Sequence, residues 1–211
     1  MKKQFLLAVC LLSTLLAAEK RVLINGIAAT IGTTVITIHD VYLYRALQRF
    51  CDRQSPAIVS EEGETLKKSV QKVVFEQMVY NELVSFQFAG EGRGTTENMV
   101  AKARKEGGDG SWQEILSRFS VSEAEAIDRI YRISQVEKFL QKKVDTLTQV
   151  ITDAEVEKYF TQNAERFRGS SLEQLKPSIV LLLKKERAQK GLEEWVRFLK
   201  DKYRVQNALD S

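Results

Sequence analysis

The chain has 211 residues, 44% hydrophobic and 28% charged, with two prolines, one histidine and two cysteines. That composition is globular and rich in helix formers, with enough apolar residues for a core in one or two domains. Its formal charge of +4 falls to +2 once an N-terminal leader carrying Lys2 and Lys3 is set aside, too balanced for the basic footprint of a nucleic-acid-binding protein.

The leader is read from Lys2-Lys3, the apolar run "FLLAVCLLSTLLA" (Phe5 to Ala17), and small Ala17-Ala18 before charged Glu19-Lys20-Arg21. This is the pattern of a cleaved export signal over residues 1–18. The run is short for a bilayer span, so no stable membrane insertion is expected after cleavage. Cys10 leaves with the leader, and Cys51 alone cannot form an intrachain disulfide. It follows an apolar helical stretch and reads as a packed thiol.

Residues 27–31 and 35–37, rich in β-branched side chains and separated by Gly32-Thr33, predict a small hairpin. Thr37 and Asp40 have capping-box spacing, predicting a helix from Ile38 to Phe50 and then a loop through Pro56 and Gly63. A long helix is predicted over Glu64–Ala89, with Leu66, Val70, Val73, Val74, Tyr80, Val84 and Phe88 on one face. Phe75, Val79 and Phe86 fall on nearly the opposite face. Either this helix is sandwiched between two layers, or its second face is left to a partner.

The glycines of Gly90-Glu91-Gly92-Arg93-Gly94 follow a helix C-terminus, where carbonyls point outward. They read as a helix stop and not as a phosphate loop, so nucleotide binding is dismissed. Thr95 or Thr96 precedes a helix to Lys105, Ser111 caps a short helix carrying Trp112, Ile115, Leu116 and Phe119, and Ser122 opens a long one to Leu147. After an extended piece at Gln149–Ile151, Thr152 and Glu155 cap a helix bearing Val156, Tyr159 and Phe160. Beyond the turn Gly169-Ser170-Ser171, with Ser170 as cap, the last long helix runs from Leu172 to Tyr203. Residues 203–206 read as a short strand that can join the hairpin.

Chemistry-bearing groups are few. His39 is the only histidine, set in the first turn of a helix with nothing nearby to complete a site. One histidine and one mature cysteine cannot assemble a His/Cys metal site, and no cofactor motif is present. The expectation is a protein that is not an enzyme.

The order of elements resembles that of SurA-type periplasmic chaperones. "INGIAATIGTTVITIHDV" is similar to the hairpin-to-helix opening of that family, "LKKSVQKVVFEQMVYNELV" to its long second helix, and "SWQEILSRFSVSEAEAIDRIYRISQVEKFLQKKV" to the next two. "ITDAEVEKYFTQNAERF" resembles the junction segment and "SLEQLKPSIVLLLKKERAQKGLEEWVRFLKDKYRV" the closing helix. The family carries parvulin-type prolyl isomerase domains between those last two segments. Here Arg168-Gly169-Ser170-Ser171 takes their place, and a domain needs on the order of 50 residues or more.

The resemblance therefore implies a mainly α fold without the isomerase. It has six to seven helices, a small N-terminal hairpin, a long closing helix and a short C-terminal strand. Residues 19–211 form a single chaperone domain, with an N-terminal part over 19–168 closed by 172–206. The implied function is ATP-independent holding of unfolded exported polypeptides, chiefly outer-membrane proteins, in the periplasm, with no cofactor, no nucleic acid and a homodimer left open. Candidate client contacts are Phe75, Val79 and Phe86, with Tyr42, Tyr44 and Met78 as alternates. Two other readings stay open: residual isomerase activity at an unrecognised site, and an envelope subunit for one specific partner.

Overall fold

A computed structural model of the chain describes residues 26–54, 62–148 and 150–209. The leader read over residues 1–18 and Pro56 lie outside the described residues. The fold is mainly α, with a small antiparallel sheet near the N-terminus and a long C-terminal helix. Strands β1 (Ile27–Ile31) and β2 (Thr34–Thr37) form the hairpin, and β3 (Val205–Asn207) pairs antiparallel with β1 in the order β2-β1-β3. Gly32 turns the hairpin at φ +57°, and its amide donates to the Tyr203 carbonyl at 2.8 Å. The predicted C-terminal strand thus joins the first strand of the fold.

Helix α1 (Ile38–Cys51) starts at the Thr37–Asp40 capping box, in which the side chain of each residue accepts from the other's backbone amide. Helix α2 (Gly63–Ser85) is central, in contact with α1, β1 and two later helices, α5 (Glu123–Leu147) and α7 (Leu172–Tyr203). It stops four residues before the predicted end, because Gln87 adopts the left-handed conformation at φ 51°. The amides of Gln87 and Phe88 then turn back to the carbonyls of Val84 (3.0 Å) and Leu83 (2.9 Å), the paired bonds of a Schellman stop. The buried stripe of α2 is Val70, Val74, Met78, Val79 and Leu83, and Val84, expected in the core, is exposed.

The glycine loop is a connector held by one buried amide. Gln135 accepts from the Gly90 amide (3.0 Å) and donates to the Glu91 carbonyl (2.9 Å). We expect Gln135→Ala to cost about 1–3 kcal/mol in urea denaturation, the range for leaving buried polar groups unmade. A change indistinguishable from wild type would show that water replaces the clamp.

Helices α3 (Arg93–Ala103) and α4 (Asp109–Phe119) are joined by a π-type turn over Arg104–Gly108, with Gly107 at φ 105°. α4 begins two residues before Ser111, which therefore does not cap it. Ser122 does cap α5 (Glu123–Leu147), and Thr152 with Glu155 forms the capping box of α6 (Asp153–Gln162). Of the expected extended piece, Val150 and Ile151 lie outside every helix and strand, and Gln149 lies outside the described residues.

Helix α7 (Leu172–Tyr203) is capped by Ser171 with Gln174, one residue after the expected Ser170. Its two halves meet different neighbours. The first half packs with α6 around buried Val156 and Ile179, fastened by Lys176–Asp153 (2.8 Å) and Arg187–Glu155 pairs. The second half brings Leu199 into the main core beside residues from β1, α1, α2, α4 and α5. Its end is tied to α2 by Glu82, whose carboxylate accepts from Lys202 and from the Tyr203 hydroxyl at 2.6 Å. His39 has a packing role, with Nε2 3.2 Å from the Phe119 carbonyl and its ring edge-on to Phe119.

Candidate functional site

The six candidate contacts separate by burial. Tyr42, Tyr44, Met78 and Val79 are buried in the core or its margin and offer no surface to a partner. This is a correction with a clear cause. α2 is covered on both sides, so its second apolar face is largely consumed by packing. Phe75 is half-buried, edge-on to Trp195 of α7 with ring centroids 6.5 Å apart. Phe86 alone of the six is fully outside, 69% exposed, because α2 has ended and Phe86 is its cap residue.

Phe75 and Phe86 are nonetheless the ends of one structure. From Phe75 the ring contacts continue through Trp195 to Phe139 of α5 (6.2 Å), and from Phe139 to Phe86 (6.3 Å, stacked). Phe88 joins edge-on to Phe139 at 5.3 Å. Such pairs contribute about 0.5–1.5 kcal/mol each beyond burial, so the ladder is a fixed feature of the surface. Lys143 lies over the Trp195 ring at 5.1 Å, and Lys142 over Phe88 at 5.0 Å. One turn along α7 from Trp195, Phe198 is also exposed and lies under Lys202.

At its inner end the ladder borders a groove of about 540 Å³ between α2, α7 and β3. Val74, Phe75 and Val196 form its apolar walls, Met78 lies beneath the floor without exposed surface, and Gln71 and Lys200 stand at the rim. Sequence reasoning picked out Phe75 and Phe86 and missed that Trp195 and Phe139 join them. It passed over Phe198, three residues beyond Trp195 on the same helix, and that spacing was the available signal.

Among the described residues no set of three His, Cys, Asp or Glu side chains is placed to hold a metal ion, and no helix is long and apolar enough to cross a membrane. Burial, with the nearby charges of Asp52 and Glu137, pushes the Cys51 thiol up to about 12, so it is protonated and a poor nucleophile at neutral pH. We expect Cys51 to react with a thiol reagent such as DTNB many-fold more slowly in the folded chain than after denaturation. Equal rates would show that the thiol is open.

Comparison of the chain with protein-family models, curated proteins and solved structures finds no match.

Proposed function

We propose that this chain holds unfolded exported polypeptides, outer-membrane proteins among them, in the periplasm without ATP and without prolyl isomerase activity. The observation that carries the reading is the continuity between the apolar groove and a ladder of half-buried aromatic rings that ends at exposed Phe86. Extended chain segments present apolar side chains at intervals, and a ladder of rings offers several equivalent places for them. Recognition by flat ring faces needs little shape matching, which suits varied clients, and each contact is weak enough to reverse. The lysines over the rings keep a polar rim around the apolar surface and limit self-association.

The resemblance to SurA-type chaperones supports the same reading, and the connection between α6 and α7, only the nine residues 163–171, supports the absence of the isomerase. The test is aggregation suppression of an unfolded outer-membrane protein by wild type and by the Phe86→Ser/Phe198→Ser variant. Both side chains are exposed, so the variant should keep its stability within about 1 kcal/mol while holding falls several-fold. Full holding by the folded variant would remove the ladder from the proposal. Acceleration of a proline-limited refolding reaction would overturn the non-enzyme reading, and capture of a single stoichiometric envelope protein without general holding would replace it with a dedicated subunit.

A further inference from the structure

We propose that the bare edge of β2 and the cavity beside it bind an extended polypeptide segment. The segment adds to the sheet as a fourth strand, sets an apolar side chain in the cavity and places lysine or arginine at its mouth. The inference is independent of the holding function and stands without it.

The sheet has two edges, and β3 at one of them borders the groove. β2 is the other, and among the described residues it pairs only with β1. Its backbone orientation follows from the hairpin. The two-residue turn Gly32-Thr33 closes on Ile31 and Thr34 as a hydrogen-bonded pair, and the pattern alternates from there. Thr30 and Val35 form the next pair, so Val35 aims its amide and carbonyl away from β1. The far side of β1 agrees, since Ala28 accepts from Ala208, which follows β3, at 3.0 Å.

Among the described residues neither backbone group of Val35 has a partner, and the residue is 50% exposed. A donor and an acceptor presented side by side on a strand edge are matched by the backbone of another strand. The pairing is short, because the next outward amide, that of Thr37, is taken by the Asp40 carboxylate at 3.0 Å. Backbone bonds therefore supply a weak, reversible contact, and the cavity supplies the selectivity.

That cavity holds about 310 Å³ between β2, α1, α2 and α5, within the size range of small binding sites. Exposed Thr34 and Val35 stand at its mouth with exposed Glu125 and Arg132 of α5, so it is open along the bare edge. Val73, Tyr80 and Ile133, all half-buried, give it an apolar lining for one side chain of the incoming strand.

Its charge favours a basic segment. Four carboxylates line it, Asp40, Glu76, Glu125 and Asp128, against the guanidiniums of Arg129 and Arg132. Arg129 bonds Asp40 (3.1 Å) and Glu125 (3.2 Å), Arg132 bonds Asp128 (3.0 Å), and Arg93 of α3 reaches Asp128 from outside at 3.0 Å. Four carboxylates against three guanidiniums leave one in surplus. Glu76 forms no ion pair among the described residues and accepts from the Tyr44 hydroxyl. Lys72 and Glu137 act on it with opposite signs. Burial pushes its carboxyl up to about 7, so the surplus is present at about pH 8. An acidic segment meets like charge here, and a lysine or arginine meets its opposite.

The test is fluorescence anisotropy of a labelled short peptide alternating lysine and valine, titrated with the full chain at about pH 8. The matching glutamate–valine peptide is the control. The lysine peptide should bind several-fold more tightly, and equal binding, or none up to about 1 mM, would overturn the proposal. Val35→Pro removes the outward amide at an edge position that tolerates proline, so a folded variant should bind the lysine peptide several-fold more weakly. Unchanged binding by that folded variant would remove the edge from the proposal. Should the proline variant fail to fold, two forms of the lysine peptide N-methylated on alternate sets of amides replace it. One form should lose binding and the other keep it, because only one set faces β2, and equal effects would sink strand addition. A concentration-dependent dimer of the protein alone, lost in Val35→Pro, would give the edge to a second copy and overturn the assignment to a peptide.

Discussion

Lys202→Met is expected to destabilise the protein by about 3 kcal/mol or more near neutral pH, and to do so more than Glu82→Gln. The asymmetry comes from burial. Glu82 is 2% exposed, whereas the Lys202 side chain is 38% exposed. Removing the lysine leaves a carboxylate inside the α2–α7 contact with the Tyr203 hydroxyl and the more distant charge of Lys143. Removing the carboxylate's charge instead leaves an ammonium that water can solvate, and the loss is that of charge-assisted hydrogen bonds, about 1–3 kcal/mol. Urea denaturation of both variants checks this. Equal costs, or a Lys202→Met cost below about 1 kcal/mol, would mean that the contact contributes little to closing α7 on the core.

The pH dependence of this contact is opposite to that of Glu76. Burial would raise the Glu82 carboxyl, but the bonds from Lys202 and Tyr203 outweigh it and hold it below its ordinary 4.5. Its contribution is therefore present above 4.5 and lost as pH falls through the lower folded value. Glu76 contributes while protonated, below about 7. With one carboxyl needed ionised and the other neutral, these two groups place their joint optimum between about 4.5 and about 7. In Lys202→Met the buried Glu82 should take up a proton more readily, so the variant's deficit shrinks toward acid pH.

Local chemistry was legible in the sequence wherever a side chain bonds backbone three residues away. Thr37, Ser122 and Thr152 each cap the helix that their spacing implied. The misses occurred where several local solutions compete. Ser170 and Ser171 each have a suitable partner three residues on, Glu173 and Gln174, and the chain uses the second. Ser111 also has capping-box spacing, but the π-type turn at Arg104–Gly108 continues directly into α4, making the serine redundant as a start. The stop of α2 at Ser85 depends on a left-handed Gln87, a conformation that sequence assigns more readily to the following glycine.

The candidate surface was less legible because tertiary contacts build it. Periodicity identified a second apolar face on α2, and packing then divided it: Val79 in the core, Phe75 against Trp195, Phe86 in solvent. No periodicity within one helix reveals that rings from α2, α5 and α7 meet in a single ladder. The same holds for Glu82 and Lys202, which are 120 residues apart, and for Tyr44 and Glu76. In sequence, Glu76 and Glu82 are two acids on a helix also bearing Glu64, so only their surroundings separate a carboxyl held below its ordinary range from one pushed up to about 7.

Trp112 carries the second large effect, and here two substitutions should diverge. It is fully buried in α4, its ring 5.0 Å from that of Phe50 of α1, and among the described residues its indole N–H has no hydrogen-bond partner. Trp112→Ala should cost about 3–5 kcal/mol, since the lost burial is compounded by a cavity that the surrounding helices fill only partly. Trp112→Phe keeps an aromatic ring against Phe50 and removes a buried donor whose desolvation is uncompensated, a penalty of about 1–3 kcal/mol. That gain offsets most of the lost contact, so the phenylalanine variant should lie within about 1.5 kcal/mol of wild type in urea denaturation. If it is as damaging as alanine, the N–H must have a partner or the full indole shape must dominate at this site. Because α4 does not contribute to the aromatic ladder, the proposed holding function predicts that a folded Trp112→Phe protein matches wild type in aggregation suppression. A loss of holding at unchanged stability would place the functional surface elsewhere than the ladder of Phe75, Trp195, Phe139 and Phe86.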